Sequence, residues 1–159
     1  MMSLRIFVGS MTGNAHRIAE AITQQCADVA DQIELVPMDA IRTSDLLQTY
    51  SGMTLLCVST YGCGDVPDQG QALYTDLDER PAYIPHMRYG VIALGDSSYG
   101  ETFCAGGRLF DARLQDLGAI RLGDLLLLDA LDPTNPEEIA VAWCREWLTA
   151  HDLEVSSSA

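Results

Sequence analysis

The sequence predicts an α/β fold: a three-layer α/β/α sandwich built on a five-stranded parallel sheet. Two observations carry this. Short apolar runs recur at residues 4–8, 33–37, 53–59, 89–94 and 122–128, the pattern of strands covered on both faces. Between them lie segments whose apolar residues are spaced by three and four, the period of a helix. Strands that alternate with helices are joined by right-handed crossovers, which makes the sheet parallel.

Taken in order, the first run is followed by Ile18, Ala19, Ile22, Cys26 and Val29, the apolar stripe of a helix. The second and third runs are strands of the same kind. The fourth leads into Leu109, Phe110, Leu114 and Leu117, again at helical spacing. After the fifth comes Asp132-Pro133-Thr134-Asn135-Pro136-Glu137-Glu138, which combines a capping residue, a proline for the first helical position and acids for the first turn. Ile139, Val141, Ala142, Trp143, Trp147 and Leu148 continue it as a closing helix, with the two tryptophans packing it onto the sheet. The chain shows no internal repeat and no linker, so residues 1–159 read as one domain with a frayed tail at 155–159.

At 159 residues and 48% apolar composition there is room for one sizeable core. Nine basic residues against 23 acidic ones give a formal net charge of -14. Such a chain repels phosphate backbones and anionic membranes, which excludes non-specific nucleic-acid binding. All nine basic residues are arginines, and the absence of lysine removes Walker-A, Schiff-base and kinase chemistry. No run of 18 apolar residues occurs and the N-terminus passes straight into a strand, so the expected location is the cytoplasm. Cys26, Cys57, Cys63, Cys104 and Cys144 form no C-x-x-C pair and read as reduced thiols. Cys26, Cys57 and Cys144 fall on core positions. His16, His86 and His151 lie far apart, and no metal site is expected.

In an open parallel sheet the ligand sits beyond the carboxyl ends of the strands. The first such junction is Gly9-Ser10-Met11-Thr12-Gly13-Asn14-Ala15-His16. Free N–H groups at a helix start, with the Ser10 and Thr12 hydroxyls and the Asn14 amide, make a neutral cradle for a phosphate. A serine-threonine cap with a turn glycine is the plainer alternative. His16 and Arg17 follow closely enough to assist, against a solvent-facing position on the cap. The third junction, Ser59-Thr60-Tyr61-Gly62-Cys63-Gly64-Asp65-Val66-Pro67-Asp68, places glycines at alternate positions beside a tyrosine able to stack on a flat ligand. Cys63, between two glycines, reads as a spacer or as an exposed thiol. The fourth, Leu94-Gly95-Asp96-Ser97-Ser98-Tyr99-Gly100-Glu101-Thr102-Phe103-Cys104, is a second polar loop with its own tyrosine. Together they describe a site for a phosphorylated planar ring.

At these mutual spacings, Ser10-Met11-Thr12-Gly13-Asn14-Ala15, Ser59-Thr60-Tyr61-Gly62-Cys63-Gly64-Asp65 and Leu94-Gly95-Asp96-Ser97-Ser98-Tyr99 resemble the flavodoxins. The likeness is to the short-chain, MioC-type members and to the FMN domains of diflavin reductases such as cytochrome P450 reductase and sulfite reductase. It covers about residues 4 to 150. The resemblance implies strand order 2-1-3-4-5, with FMN at the point where the order reverses. It implies that Ser10 to Ala15 hold the FMN phosphate and that Tyr61 and Tyr99 face the two sides of the isoalloxazine. The Tyr61-Gly62-Cys63 backbone would lie near flavin N5, where a peptide reorients on reduction. The candidate set runs on through Gly64 in the second loop and through Phe103 and Cys104 in the third. Ala15 stands where many flavodoxins have threonine, and the segment from Tyr99 to Phe103 is one residue longer than in many reductase domains.

The function so implied is an FMN-binding carrier that shuttles single electrons between a reductase and acceptor enzymes, an electron carrier rather than an enzyme with its own substrate. An FMN-dependent reductase acting directly on a quinone is the rival, since fold alone does not decide function. A receiver domain would need acids at the end of the first strand and an aspartate at the end of the third, where the chain has Val8-Gly9-Ser10 and Ser59-Thr60. A flavin-free docking module leaves the tyrosine loops unexplained. Asp65, Asp68, Asp96, Glu101, Asp129 and Asp132 crowd the expected rim, which suits a basic flavodoxin or ferredoxin reductase as donor and basic acceptors. The expected state is monomeric.

Overall fold

The computed structural model describes residues 2–157, with side chains from 3 to 151. Strand β1 (Met2–Gly9) leads through a turn into helix α1 (Asn14–Gln25), and β2 (Ala30–Pro37) follows. A 3-10 turn (Met38–Ala40) and the one-turn helix α2 (Thr43–Leu46) precede β3 (Met53–Val58). Then come α3 (Asp68–Glu79), β4 (Arg88–Gly95), an irregular 3-10 segment (Ser97–Thr102) and α4 (Ala105–Asp116). The chain closes with β5 (Ile120–Arg121), β6 (Leu126–Asp129) and α5 (Pro136–Ser157). The strands pair in the order β2-β1-β3-β4-β5, with β6 also on β4, and every pairing is parallel. The expected order 2-1-3-4-5 is therefore present.

All six residues of β3 are buried, because side chains alternate between two covered faces. On one face Leu4, Ile6, Val8, Leu55, Cys57 and Ile92 pack against Ile18 and Ile22 of α1 and Trp147 and Leu148 of α5. On the other, Phe7, Leu56, Val58, Val91 and Ala93 meet Leu73 and Leu77 of α3 and Phe110 and Leu114 of α4. Cys26, Cys57 and Cys144 are buried and Cys63 is exposed. Trp143 and Trp147 stack with ring centroids 5.5 Å apart.

The expected single fifth strand is divided. Tyr89 pairs with Arg121 and Ile92 with Leu126, so three steps along β4 match five on the outer strand. The surplus is taken up around Gly123, whose φ of 75° is left-handed. Two contacts hold the detour: the Trp147 indole N–H donates to the Leu122 carbonyl at 2.7 Å, and Arg121 Nε donates to Gly123 O at 2.9 Å. The two helix boundaries also shift. Helix α1 ends at Gln25, leaving Val29 beyond it. Helix α5 starts at Pro136 rather than near Asp132: the Asn135 side-chain oxygen accepts from Glu137 N at 2.9 Å, making Asn135 the cap, while Asp132 caps only the local turn at Thr134. Of the tail expected to fray, Ser156 and Ser157 continue α5, and Ser158 and Ala159 lie outside the described residues.

One polar network crosses the α4 face. The fully buried Tyr89 donates its hydroxyl to Asp111 Oδ1 at 2.6 Å, and Arg121 Nη1 donates to Asp111 Oδ2 at 2.5 Å. It ties β4, α4 and β5 together. Among the described residues no helix is long and apolar enough to cross a membrane.

Candidate functional site

A cleft of about 820 Å³ opens at the carboxyl ends of β1, β3, β4 and β6. Each strand end delivers one loop to it.

The loop after β1 is shaped by its own hydroxyl. Ser10 Oγ accepts from Gly13 N at 2.9 Å, and Ser10 N donates to Gln69 Oε1 at 3.0 Å, which pins the turn to α3. Gly13 takes φ 88° and caps α1 without a side-chain bond; a Cβ there would meet nothing within 4 Å, so backbone conformation and not crowding selects glycine. Among the described residues the N–H groups of Thr12, Asn14 and Ala15 have no protein partner. The beginning of a helix thus presents unclaimed donors beside Thr12 and Asn14, which line the cleft. The Ala15 methyl points into the core and is fully buried.

The loop after β3 closes on itself. Tyr61 N donates to Asp65 O and Asp65 N to Tyr61 O, each at 2.8 Å, and Gly64 N donates to Tyr61 O at 3.1 Å. The backbone groups of Gly62 and Cys63 at its tip have no protein partner among the described residues, and Gly62 stands at φ 53°. Behind it, Thr60 donates its hydroxyl to Leu94 O at 2.8 Å and accepts from Gly106 N at 3.1 Å. A Cβ on Gly106 would fall 2.2 Å from the Ser59 carbonyl, so this glycine lets α4 seat directly against the loop.

The loop after β4 is held at its start by two carboxylates. Asp96 Oδ1 accepts from Ser98 N at 2.8 Å, while Asp129 Oδ1 accepts from Ser97 N and Leu131 N, each at 3.0 Å. These hydrogen bonds, led by the one from Ser97, hold the Asp129 carboxyl below the ordinary carboxylate range. It therefore stays ionised and joins the Tyr99 loop to the 129–132 loop. Tyr61 is 42% exposed and Tyr99 52% exposed, and both rings face the cleft. Large aromatic surfaces left open around one concavity mark a binding site.

Of the residues picked from sequence, Met11, Thr12, Asn14, Ser59, Thr60 and Tyr61 line the cleft. So do Gly62, Leu94, Gly95, Asp96 and Tyr99. Ser10 and Gly13 line a neighbouring hollow with His16 and Gln69 instead. Gly64, Ser97, Ser98 and Cys63 support the loops without lining the cleft. The side chains of Phe103 and Cys104 do not line it: Phe103 packs on the α4-side core, and the Cys104 thiol is fully buried, 3.2 Å from Ala93 O, with its pKa pushed up to about 12 by burial. The cause is the left-handed φ of 59° at Cys104, which starts α4 and swings its side chain inward.

The wall missed from sequence is the fourth one, formed by Leu128, Ala130, Asn135, Pro136 and Glu137. Arg17 also lines the cleft rather than standing apart from it. Asp129, expected only as a rim charge, ties two of the walls. Among the described residues no group of His, Cys, Asp and Glu could hold a metal.

The flavodoxin family model matches residues 6–143. Flavodoxin YqcA of Pectobacterium carotovorum subsp. carotovorum is 44% identical over 155 residues, covering 97% of this chain and 100% of that protein. The sulfite reductase (NADPH) flavoprotein alpha-component of Shewanella sp. (strain MR-7) is 37% identical over 149 residues, covering 93% of this chain and 24% of that longer one. A solved structure of a mutant flavodoxin from Pseudomonas aeruginosa superposes with a TM-score of 0.79 at 30% identity, over 94% of this chain and 98% of the other.

Proposed function

The chain belongs to the flavodoxin family of FMN-binding electron carriers, and on that premise we propose that it shuttles single electrons between a reductase and acceptor enzymes. The observation that carries this reading is the meeting, in one cleft, of unclaimed helix-start N–H groups and two exposed tyrosine rings. The residues present fit FMN: a phosphate needs hydrogen-bond donors, which Thr12, Asn14 and the α1 amides offer, and a flat ring needs open aromatic faces, which Tyr61 and Tyr99 offer. FMN supplies the one-electron chemistry when bound.

The chain's own groups position the ring and control its surroundings. Thr60, locked between Leu94 and Gly106, fixes the stem of the Tyr61 loop. The Gly62 to Cys63 peptide, unclaimed by the protein, is the backbone unit free to turn its carbonyl or N–H toward the ring. Asp129 anchors the Tyr99 loop from the opposite wall. The family assignment supports the carrier and lends nothing to direct reduction of a quinone. Titrating the apo-protein with FMN and with riboflavin tests the cofactor reading: FMN should bind at least tenfold more tightly, since the phosphate adds several charge-assisted hydrogen bonds of about 1.5 to 3 kcal/mol each. Equal affinities would reject the phosphate cradle.

We further propose that the acidic rim docks a basic reductase and basic acceptors in turn. Asp65, Asp68, Glu101 and Asp132 are exposed around the mouth. Steering by such a rim is screened by salt, with a Debye length of about 8 Å near physiological ionic strength. Electron-transfer rate constants with a basic flavodoxin reductase should therefore fall steeply as salt is added. Changing Asp65, Asp68 and Asp132 together to asparagine should slow that transfer more than it alters FMN affinity. Rates indifferent to both would move the docking face elsewhere.

A further inference from the structure

We propose that Arg17 is a charged anchor for the phosphate end of FMN, a specificity-determining residue that favours the phosphorylated flavin over its dephosphorylated form; this rests on the flavodoxin reading of the cleft. Arg17 lies one turn into α1, on the cleft side. The other charged residues lining that cleft are all acidic: Asp96, Asp129, Asp132 and Glu137. In this lysine-free chain with 23 acids, Arg80, Arg113, Arg121 and Arg145 pair with carboxylates. Arg17 does not among the described residues. Its Nη2 instead donates to the side-chain oxygen of Asn14, which folds the guanidinium back over the helix start where the N–H groups of Thr12, Asn14 and Ala15 are unclaimed.

What the neutral cradle lacks is charge. Ser10 Oγ accepts from Gly13 N and Asn14 Oδ1 accepts from Arg17, so each keeps its own donor for an anion, but neither brings a positive charge to a dianion, and the Ala15 side chain is buried. Among the described residues, Arg17 is the one cationic side chain on the cleft, and most of its donors make no hydrogen bond to the protein. It also offsets the four surrounding carboxylates, which would otherwise repel a phosphate dianion entering the mouth.

The test is a titration of the apo-protein with FMN and, separately, with riboflavin, for the unaltered chain, Arg17→Gln and Arg17→Lys, at low and high salt. Arg17→Gln should bind FMN roughly tenfold more weakly, the size of one charge-assisted hydrogen bond at an exposed site, with riboflavin affinity unchanged. Arg17→Lys should recover part of the loss, because it restores the charge without the planar fork. The fall in FMN affinity with added salt should be shallower for Arg17→Gln than for the unaltered chain. Equal losses for FMN and riboflavin would mean that Arg17 only shapes the wall, and unchanged FMN affinity would mean that it points elsewhere; either result overturns the proposal alone. Failure of the unaltered chain to bind FMN would overturn the flavodoxin reading of the cleft and this proposal with it.

Discussion

Asp111→Ala is expected to lower the free energy of unfolding by about 3 kcal/mol, the low end of what breaking a buried ion pair costs, because one side of the network is partly open to solvent. The carboxylate serves donors from two strands, the Tyr89 hydroxyl and the Arg121 guanidinium, as well as the Gln115 amide of its own helix. Removing it leaves the buried hydroxyl only its 3.2 Å contact with the Asp111 carbonyl and the guanidinium only its bond to Gly123 O. Asp111→Asn keeps one acceptor and should lose roughly half as much. Urea midpoints at constant slope measure both, and an unchanged midpoint for Asp111→Ala would show the network to be energetically idle. The same network has an alkaline signature. Burial, and then the bond to Asp111, raises the Tyr89 pKa well above the ordinary tyrosine value. A group whose folded pKa is raised favours the fold below its unfolded pKa, and that stability is lost as pH climbs past about 10. Tyr89→Phe should flatten the decline.

Tyr99→Ala and Tyr61→Ala are each expected to weaken FMN binding by about 1 to 3 kcal/mol, the worth of stacking a flat heterocycle on an aromatic ring, which is roughly a 5- to 150-fold loss. Both rings are among the exposed aromatics of the protein, so unfolding midpoints should move by less than about 0.5 kcal/mol. If the rings cover opposite faces of one ligand, the double variant should lose the sum of the two, since they then share no contact. A double loss no larger than either single loss would place them on the same face. Full affinity in both would reject stacking as the mode of ring binding.

The sheet was legible because β1, β3 and β4 are covered on both faces and leave short runs that are apolar apart from Arg5 and Thr54. The break in the outer strand was not, since residues 122–128 are apolar throughout except for Gly123 and Asp124, and a two-residue detour changes no period that a run of leucines could reveal. Three walls of the cleft declared themselves through hydroxyls, glycines and tyrosines at strand ends. The fourth wall did not, because Leu128, Ala130 and Pro136 carry no chemistry of their own; only their place in the fold brings them there. The Cys104 thiol is buried for a local reason, a left-handed backbone that sequence spacing does not disclose.

The interrupted outer strand bears on edge-to-edge association between copies of the chain. A sheet edge is a row of unpaired donors and acceptors that templates another chain, and many proteins blunt it with lysines, which this one lacks. One edge instead never offers a long template: β5 is two residues, β6 is four, and the Gly123 detour separates them. The opposite edge, β2, is eight residues long but carries Asp31 and Glu34 and ends on Pro37, which cannot donate to a ladder. Shape guards one flank and charge the other, so filling in the detour to make one continuous strand would be a route to stacked, fibre-forming material even if the cleft remained whole.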